Sequence, residues 1–248
     1  MPVPLRRRRE FIARETVRRS PAIVAEHSKQ GATALSTFIP EQLPPLDQVD
    51  CPDPFGTPVP VEVVNADAFV TARKMMYLDE EANGNVAMLN LASDIRPAGS
   101  WHEHSALEIR QEDSLCYSST LYTTLKVSYY PIPNVGEGSA AGIYSPGVVI
   151  FRDQLENACT ELPIEQRRVV SVISVAAPRW PALTDDGMSL RRRTDLDDLR
   201  DKIRLVYRMA AYYGKTHLVL VVRCYGMRHV WMSARASSQR DARCSFGS

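Results

Sequence analysis

The sequence predicts an α/β domain with a mainly parallel sheet, and three observations carry that prediction. Short apolar runs at 61–64, 86–91, 147–151, 169–175 and 217–222 alternate with segments of helical periodicity. The run at 86–91 is apolar at every position except Asn90, as suits a strand buried on both faces. The chain has 248 residues, 44% of them apolar, enough to bury a full core without disulfide or metal staples.

Each element has its own signal. From Arg7 onward, Phe11, Ile12, Thr16, Ile23 and Val24 recur near a 3.6-residue spacing with arginines between them, which predicts an N-terminal helix. The Arg6–Arg9 run within it reads as a solvated helix face, a nuclear localisation signal or part of a transit peptide; Glu10 and Glu15 argue against the last. Seven prolines in 39–60 predict an extended connector, because proline donates no backbone hydrogen bond. A helix over 66–76 is expected to start at Asn65 or Asp67 as cap. A loop at 94–110 leads into a helix over 113–125. The clearest helix spans 194–213: Thr194 caps it, Leu196, Leu199, Ile203, Tyr207 and Ala210 form its apolar stripe, and Gly214 stops it.

Composition excludes several classes of function. No apolar run approaches the roughly 20 residues of a membrane span. The five cysteines form no C-x-x-C pair, which argues against a zinc ribbon or a disulfide framework and for an intracellular setting, cytoplasmic or nuclear. The net charge of +1 argues against nucleic-acid binding through overall charge. That figure hides an uneven distribution. Residues 1–20 carry seven arginines against two glutamates, and residues 223–248 carry five arginines against one aspartate. The ends are therefore +5 and +4, and the body between them is −8. A nucleic-acid partner gripping the two basic ends is the weakest of the functional classes that remain.

The chemistry concentrates between Asn90 and Leu125. Asp94-Ile95-Arg96-Pro97-Ala98-Gly99-Ser100-Trp101 follows a buried strand, and its small residues would let backbone N–H groups approach an anion. Gln111-Glu112-Asp113 opens a helix, where carboxylates complement the dipole and Asp113 can serve as a cap. Downstream stand Tyr129-Tyr130-Pro131-Ile132-Pro133 and Ile143-Tyr144-Ser145-Pro146, the latter followed by 148–153. In this order, with 61–65 and Leu89-Asn90-Leu91-Ala92-Ser93, these segments resemble the microbial-type poly(ADP-ribose) glycohydrolase catalytic domain of the macrodomain superfamily. The likeness runs from about Arg7 to Leu220 and is nearest to the fungal members.

The resemblance implies a three-layer α/β/α fold with a mixed sheet and an ADP-ribose cleft at the strand ends. It implies a ligand set of Asn90, Ala98, Gly99, Ser100 and Trp101, and a catalytic triplet of Gln111, Glu112 and Asp113. Asp113 stands where the family has its acid, Glu112 would hold the leaving sugar's hydroxyl, and Gln111 would position the pair. The implied reaction cleaves O-glycosidic bonds between ADP-ribose units, with no cofactor or metal. Free ADP-ribose, its polymer and ADP-ribosylated proteins are the implied partners. The alternative is a non-catalytic ADP-ribose binder or an inactive, truncated pseudoenzyme.

The sequence departs from the family at several places. The loop keeps one glycine of three, so side chains at Ala98 and Ser100 are expected to crowd a bound diphosphate. Asp113 replaces a glutamate, which retracts the carboxyl by about an ångström. Ten residues separate Ser100 from Gln111, and they include His102-Glu103-His104, a pair without a third metal ligand that reads as surface. Beyond Val222 the expected second phosphate loop is absent, and Val230 is the only Val, Ile or Leu from Arg223 onward. Translated one base later, the codons from Arg223 permit Gly-Ala-Met-Gly-Cys-Gly, so a shifted reading frame or missed splice junction is expected. The sequence thus divides into a helical extension and connector (1–60), a macrodomain-like domain (61–222) lacking the last part of its sheet, and a basic, disordered tail (223–248).

Overall fold

The computed structural model describes residues 5–51, 61–99, 101, 110–179, 181–222 and 230–235. Helix α1 (Leu5–Glu26) buries Ile12, Ala13, Thr16, Ser20 and Ile23. Phe11, which the periodicity places on the apolar face, instead points outward at 66% exposure. Strand β1 (Thr37–Ile39) follows, then β2 (Glu62–Val64) and α2 (Ala68–Leu78). Asp67 is the cap of α2, its carboxylate accepting from Phe69 N (2.8 Å) and Val70 N (3.2 Å). Next come β3 (Val86–Leu91), α3 (Gln111–Ser118), β4 (Gly142–Ile150), β5 (Arg168–Val175), α4 (Arg193–Tyr212), β6 (His217–Val222) and β7 (Val230–Arg235).

The seven strands form one mixed sheet in the order β1-β4-β5-β3-β6-β7-β2. Its centre, β5-β3-β6, is parallel, and the four outer pairings are antiparallel. Buried residues of α1, α2 and α3 pack on one face against Met88, Val172 and Val219. Leu205, Val206 and Met209 of α4 cover the other against Ala87, Ile173 and Leu218. This is a three-layer α/β/α domain with a mixed sheet, as the resemblance implies. The strand–helix alternation predicts a mainly parallel sheet, but only β3–β5 and β3–β6 are parallel. β4–β5 and β6–β7 are consecutive strands with no helical crossover between them among the described residues, so they pair antiparallel, and β1 and β2 add antiparallel edges.

Four further expectations need correction. Helix α3 stops at Ser118 and a 3-10 turn (Leu121–Thr124) takes over, because Ser119 Oγ bonds back to Leu115 O and caps Leu121 N. Thr194 does not cap α4, and of the expected stripe only Ala210 is buried, beside Asp195, Lys202, Leu205, Val206 and Met209, with Ile203 about half exposed. A periodicity count of apolar residues misses this stripe because Lys202 is buried with its ammonium donating to Ser139 O at 2.6 Å. The start of β4 was also missed. Finally, part of the presumed tail is a strand, so the sheet does not end at β6. β7 pairs with β6 and β2 on its two sides. Ladders are made by backbone groups, and two strands offering free edges outweigh a shortage of aliphatic side chains.

Gly147 shows how tightly the N-terminal segment is held. It lies at the irregularity of β4 between Ser145 and Val148, and its carbonyl accepts from Thr33 N at 3.0 Å. A Cβ there would sit 2.2 Å from Gly31 O and 2.7 Å from Thr33 N. Gly147→Ala is therefore expected to destabilise the protein by roughly 2–3 kcal/mol, since the obstacle is backbone. Denaturant titration of the variant checks this.

Candidate active site

The site forms where β3 ends. The β3–β6 ladder closes at Met88–Val219, and beyond it the amide of Gln111 takes over the edge of β3. Gln111 Nε2 donates to Leu89 O (2.9 Å), and its Oε1 accepts from Leu91 N (2.7 Å). A single side chain thus acts as a strand surrogate and clamps the first turn of α3 to the strand. Asn90, fully buried and opposite Ser174 of β5 in the register, donates through Nδ2 to Ser174 Oγ (3.0 Å) and to Glu112 Oε1 (3.2 Å).

Glu112 is the deepest carboxylate of the triplet, 2% exposed. Its second oxygen accepts from Ser93 N at 2.8 Å. Burial pushes its pKa up to about 7, against the opposing pull of the Ser93 and Asn90 hydrogen bonds, with nearby Asp113 adding to the rise. Such a group is partly protonated at neutral pH and suited to exchange a proton or hold a hydroxyl.

Asp113 points elsewhere. Its Oδ2 accepts from Arg110 N at 2.9 Å, so the carboxylate closes the start of its own helix. Burial raises its pKa, while the Arg110 amide and the charges of Arg110 and Arg9 oppose the rise. Side chains four apart share a helix face. Asp113 and Tyr117 both feel the charge of Arg9 on α1, whereas Glu112 and Cys116 both act on Tyr130. The two carboxylates of the triplet therefore lie on adjacent faces of α3.

The loop after β3 is left-handed at two consecutive residues, Ala98 (φ 50°) and Gly99 (φ 55°). The expectation that the Ala98 methyl crowds a ligand is not met: Ala98 is completely buried and belongs to the core. Its methyl fills a core position at the cost of an unfavourable backbone conformation. Gly99 lies beneath the Arg110 guanidinium, whose Nη1 is 3.2 Å from the place a Cβ would occupy. Trp101 is a correction. It is 2% exposed, with ring centroids 5.3 Å from both Tyr117 and Tyr122, and its carbonyl accepts from Tyr117 Oη (3.0 Å). A ring packed on two tyrosines anchors the loop and has no face left to stack on a ligand. Ser100, His102, Glu103 and His104 lie outside the described residues.

The structure thus brings together Asn90, Gln111 and Glu112 directly, with Asp113, Ala98 and Gly99 beside them. Sequence reasoning missed Ser93, Ser174 and Arg110. Arg110 adjoins the triplet and carries a cation over Gly99, which a charge-based reading of 94–113 would have found together with Arg96. Ser93 acts through its backbone amide, so its side chain carries no signal. A separate cleft of 420 Å³, lined by His27, Gln30, Asn83, Arg167 and Val169 among others, opens at the other end of β5 and holds none of these residues. Among the described residues no group of three or more His, Cys, Asp or Glu is arranged to hold a metal, and no helix is long and apolar enough to cross a membrane.

Comparison with known proteins agrees with this fold. The chain is similar to the crystal structure of poly(ADP-ribose) glycohydrolase from Thermomonospora curvata, at 24% identity and a TM-score of 0.61, over 85% of this chain and 77% of that one. It is similarly related to the same protein bound to the inhibitor ADP-HPD, at 24% identity and a TM-score of 0.60 over the same shares. No curated protein matches. The family described as the microbial-type PARG catalytic domain matches residues 5–153, which include β3, the loop after it and the whole triplet. The chain belongs to the microbial-type poly(ADP-ribose) glycohydrolase catalytic domain family.

Proposed function

We propose that this protein binds the ADP-ribose unit at the end of β3 and hydrolyses O-glycosidic ribose–ribose bonds of poly(ADP-ribose). The observation that carries the reading is the clamped triplet: Gln111 on the β3 edge and Glu112 buried between Asn90 and the Ser93 amide. Glycoside hydrolysis needs a carboxylic acid to protonate the leaving oxygen while water captures an oxocarbenium-like centre. In this reading Asp113 is that acid, Glu112 holds the hydroxyl of the sugar, and Gln111 clamps to the strand the helix start that carries both. The Arg110 guanidinium and the left-handed turn at Ala98-Gly99 face the diphosphate.

One observation favours a second reading. The Asp113 carboxylate is engaged with Arg110 N, and a binder that retains ADP-ribose without turnover would leave it there. Isothermal titration with ADP-ribose, run beside a release assay on polymer, separates the two. Binding with release is expected of the hydrolase, and binding without release supports the reader. Absence of both overturns the proposal.

A further inference from the structure

We propose that Tyr130 is a further ligand-contacting residue of this site, its hydroxyl donating a hydrogen bond to an oxygen of the sugar held against Glu112. The proposal rests on the ADP-ribose reading above and adds a group that neither the triplet nor the loop supplies.

The first observation is an orphan. Tyr130 Oη is buried and has no hydrogen-bond partner among the described residues. A buried hydroxyl pays for its lost hydration unless something bonds to it, and a phenylalanine ring would fill the same space at lower cost. No described residue bonds this oxygen, and a bound molecule would supply the partner.

The second observation is where the orphan lies. Ile132 N donates to Asp94 O at 2.7 Å, so the 130–132 segment is tied to the loop whose Ser93 amide holds Glu112. The Tyr130 ring packs on the core cluster that includes Leu115 and Cys116 of α3. Its hydroxyl feels the charge of Glu112 and then of Cys116, which share one face of that helix. Tyr130 is therefore near enough to Glu112 for that carboxyl's charge to act on its hydroxyl, while Asp113 feels the charge of Arg9 on α1.

The third observation is a second orphan beside the same carboxyl. Asn90 Oδ1 is also buried without a partner among the described residues, although the same side chain's Nδ2 makes two hydrogen bonds. An unfilled acceptor and an unfilled donor around one carboxylate suit a sugar diol, whose hydroxyls both donate and accept. A diphosphate, which offers acceptors alone, would satisfy Tyr130 and leave Asn90 Oδ1 empty. The adenosine end of ADP-ribose also offers donors and acceptors, so it is the place of Glu112, which holds the leaving sugar's hydroxyl in the reading above, that selects the terminal ribose.

The test is Tyr130→Phe, read by calorimetric titration with ADP-ribose and with ADP and by thermal melting. The variant should melt at the same temperature or higher, because it loses only an unpaired hydroxyl. Its affinity for ADP-ribose should fall about 10-fold, as expected when one polar group of a hydrogen-bonding site is removed, and its affinity for ADP should stay within twofold. Unchanged affinity for ADP-ribose overturns the proposal, as does a lowered melting temperature, which would make the hydroxyl structural. Equal losses for ADP-ribose and ADP would place the contact on the nucleotide and overturn the sugar assignment. If the wild-type protein binds neither molecule, the ADP-ribose reading itself fails, and this proposal with it.

Discussion

Glu112→Gln is expected to lower polymer hydrolysis by roughly 10²- to 10³-fold while making the folded protein more stable at neutral and alkaline pH. The loss follows from removing a fixed, charged partner of the reacting sugar. The gain follows from the cause of the raised pKa. Burial places the carboxyl at about 7, above its usual value of 4.5, so the folded state holds the proton more tightly than the unfolded state does. The stabilising contribution of the protonated form is complete below pH ~4.5 and is lost as pH rises through about 7. A displacement of this size corresponds to roughly 3 kcal/mol. Glutamine escapes that loss because it never ionises. Its oxygen can accept from Ser93 N, and its amide can donate to Asn90 Oδ1 once the Asn90 carboxamide turns over, with Ser174 Oγ then donating in place of accepting. Denaturant titrations of both proteins at pH 5 and pH 8 check this: the advantage of the variant should grow by about 3 kcal/mol between them. Parallel pH curves would mean that Glu112 does not titrate in this window.

Asp113→Glu is expected to raise polymer turnover by about 100-fold with little change in melting temperature. The extra methylene returns the carboxyl to the reach that the family's glutamate has, and misplacement by about an ångström costs on that order. Stability should hold because glutamate three residues into a helix also accepts from the capping residue's amide, the bond that Asp113 now makes with Arg110 N. Single-turnover release from polymer measures the first effect and a melting curve the second. If turnover is unchanged or falls, Asp113 is a helix cap alone, and the reader interpretation replaces the hydrolase.

The strands were more legible in the sequence than the helices that cover them. The bounds of β3 and β6 agree with their apolar runs, because a strand buried on both faces leaves little choice of residue. The three-residue β1 was missed, since an edge strand that short has no periodicity to count. The stripe of α4 was offset by one position at most turns. Buried Asp195 and Lys202 hide within a polar-looking sequence, and their burial depends on partners distant in the chain. The expectation of a disordered tail failed at 230–235 for a similar reason: pairing partners decide a strand when its own composition does not.

At the site, the sequence by itself determined which residues are present: a buried Asn90 on a strand, a glycine loop and a Gln-Glu-Asp triplet opening a helix. Order and residue type along the chain carry that information, and no folding is needed to read it. Only the tertiary structure decided what each side chain faces. It turned Gln111 and Glu112 to β3 and Asp113 to its own helix start, buried the Ala98 methyl and the Trp101 ring in the core, and brought the Tyr130 hydroxyl within the influence of the Glu112 charge. The physical reason is that adjacent helix residues diverge by about 100°. Which of those directions meets a strand edge, a neighbouring helix or an unpaired hydroxyl is set by packing between segments far apart in sequence.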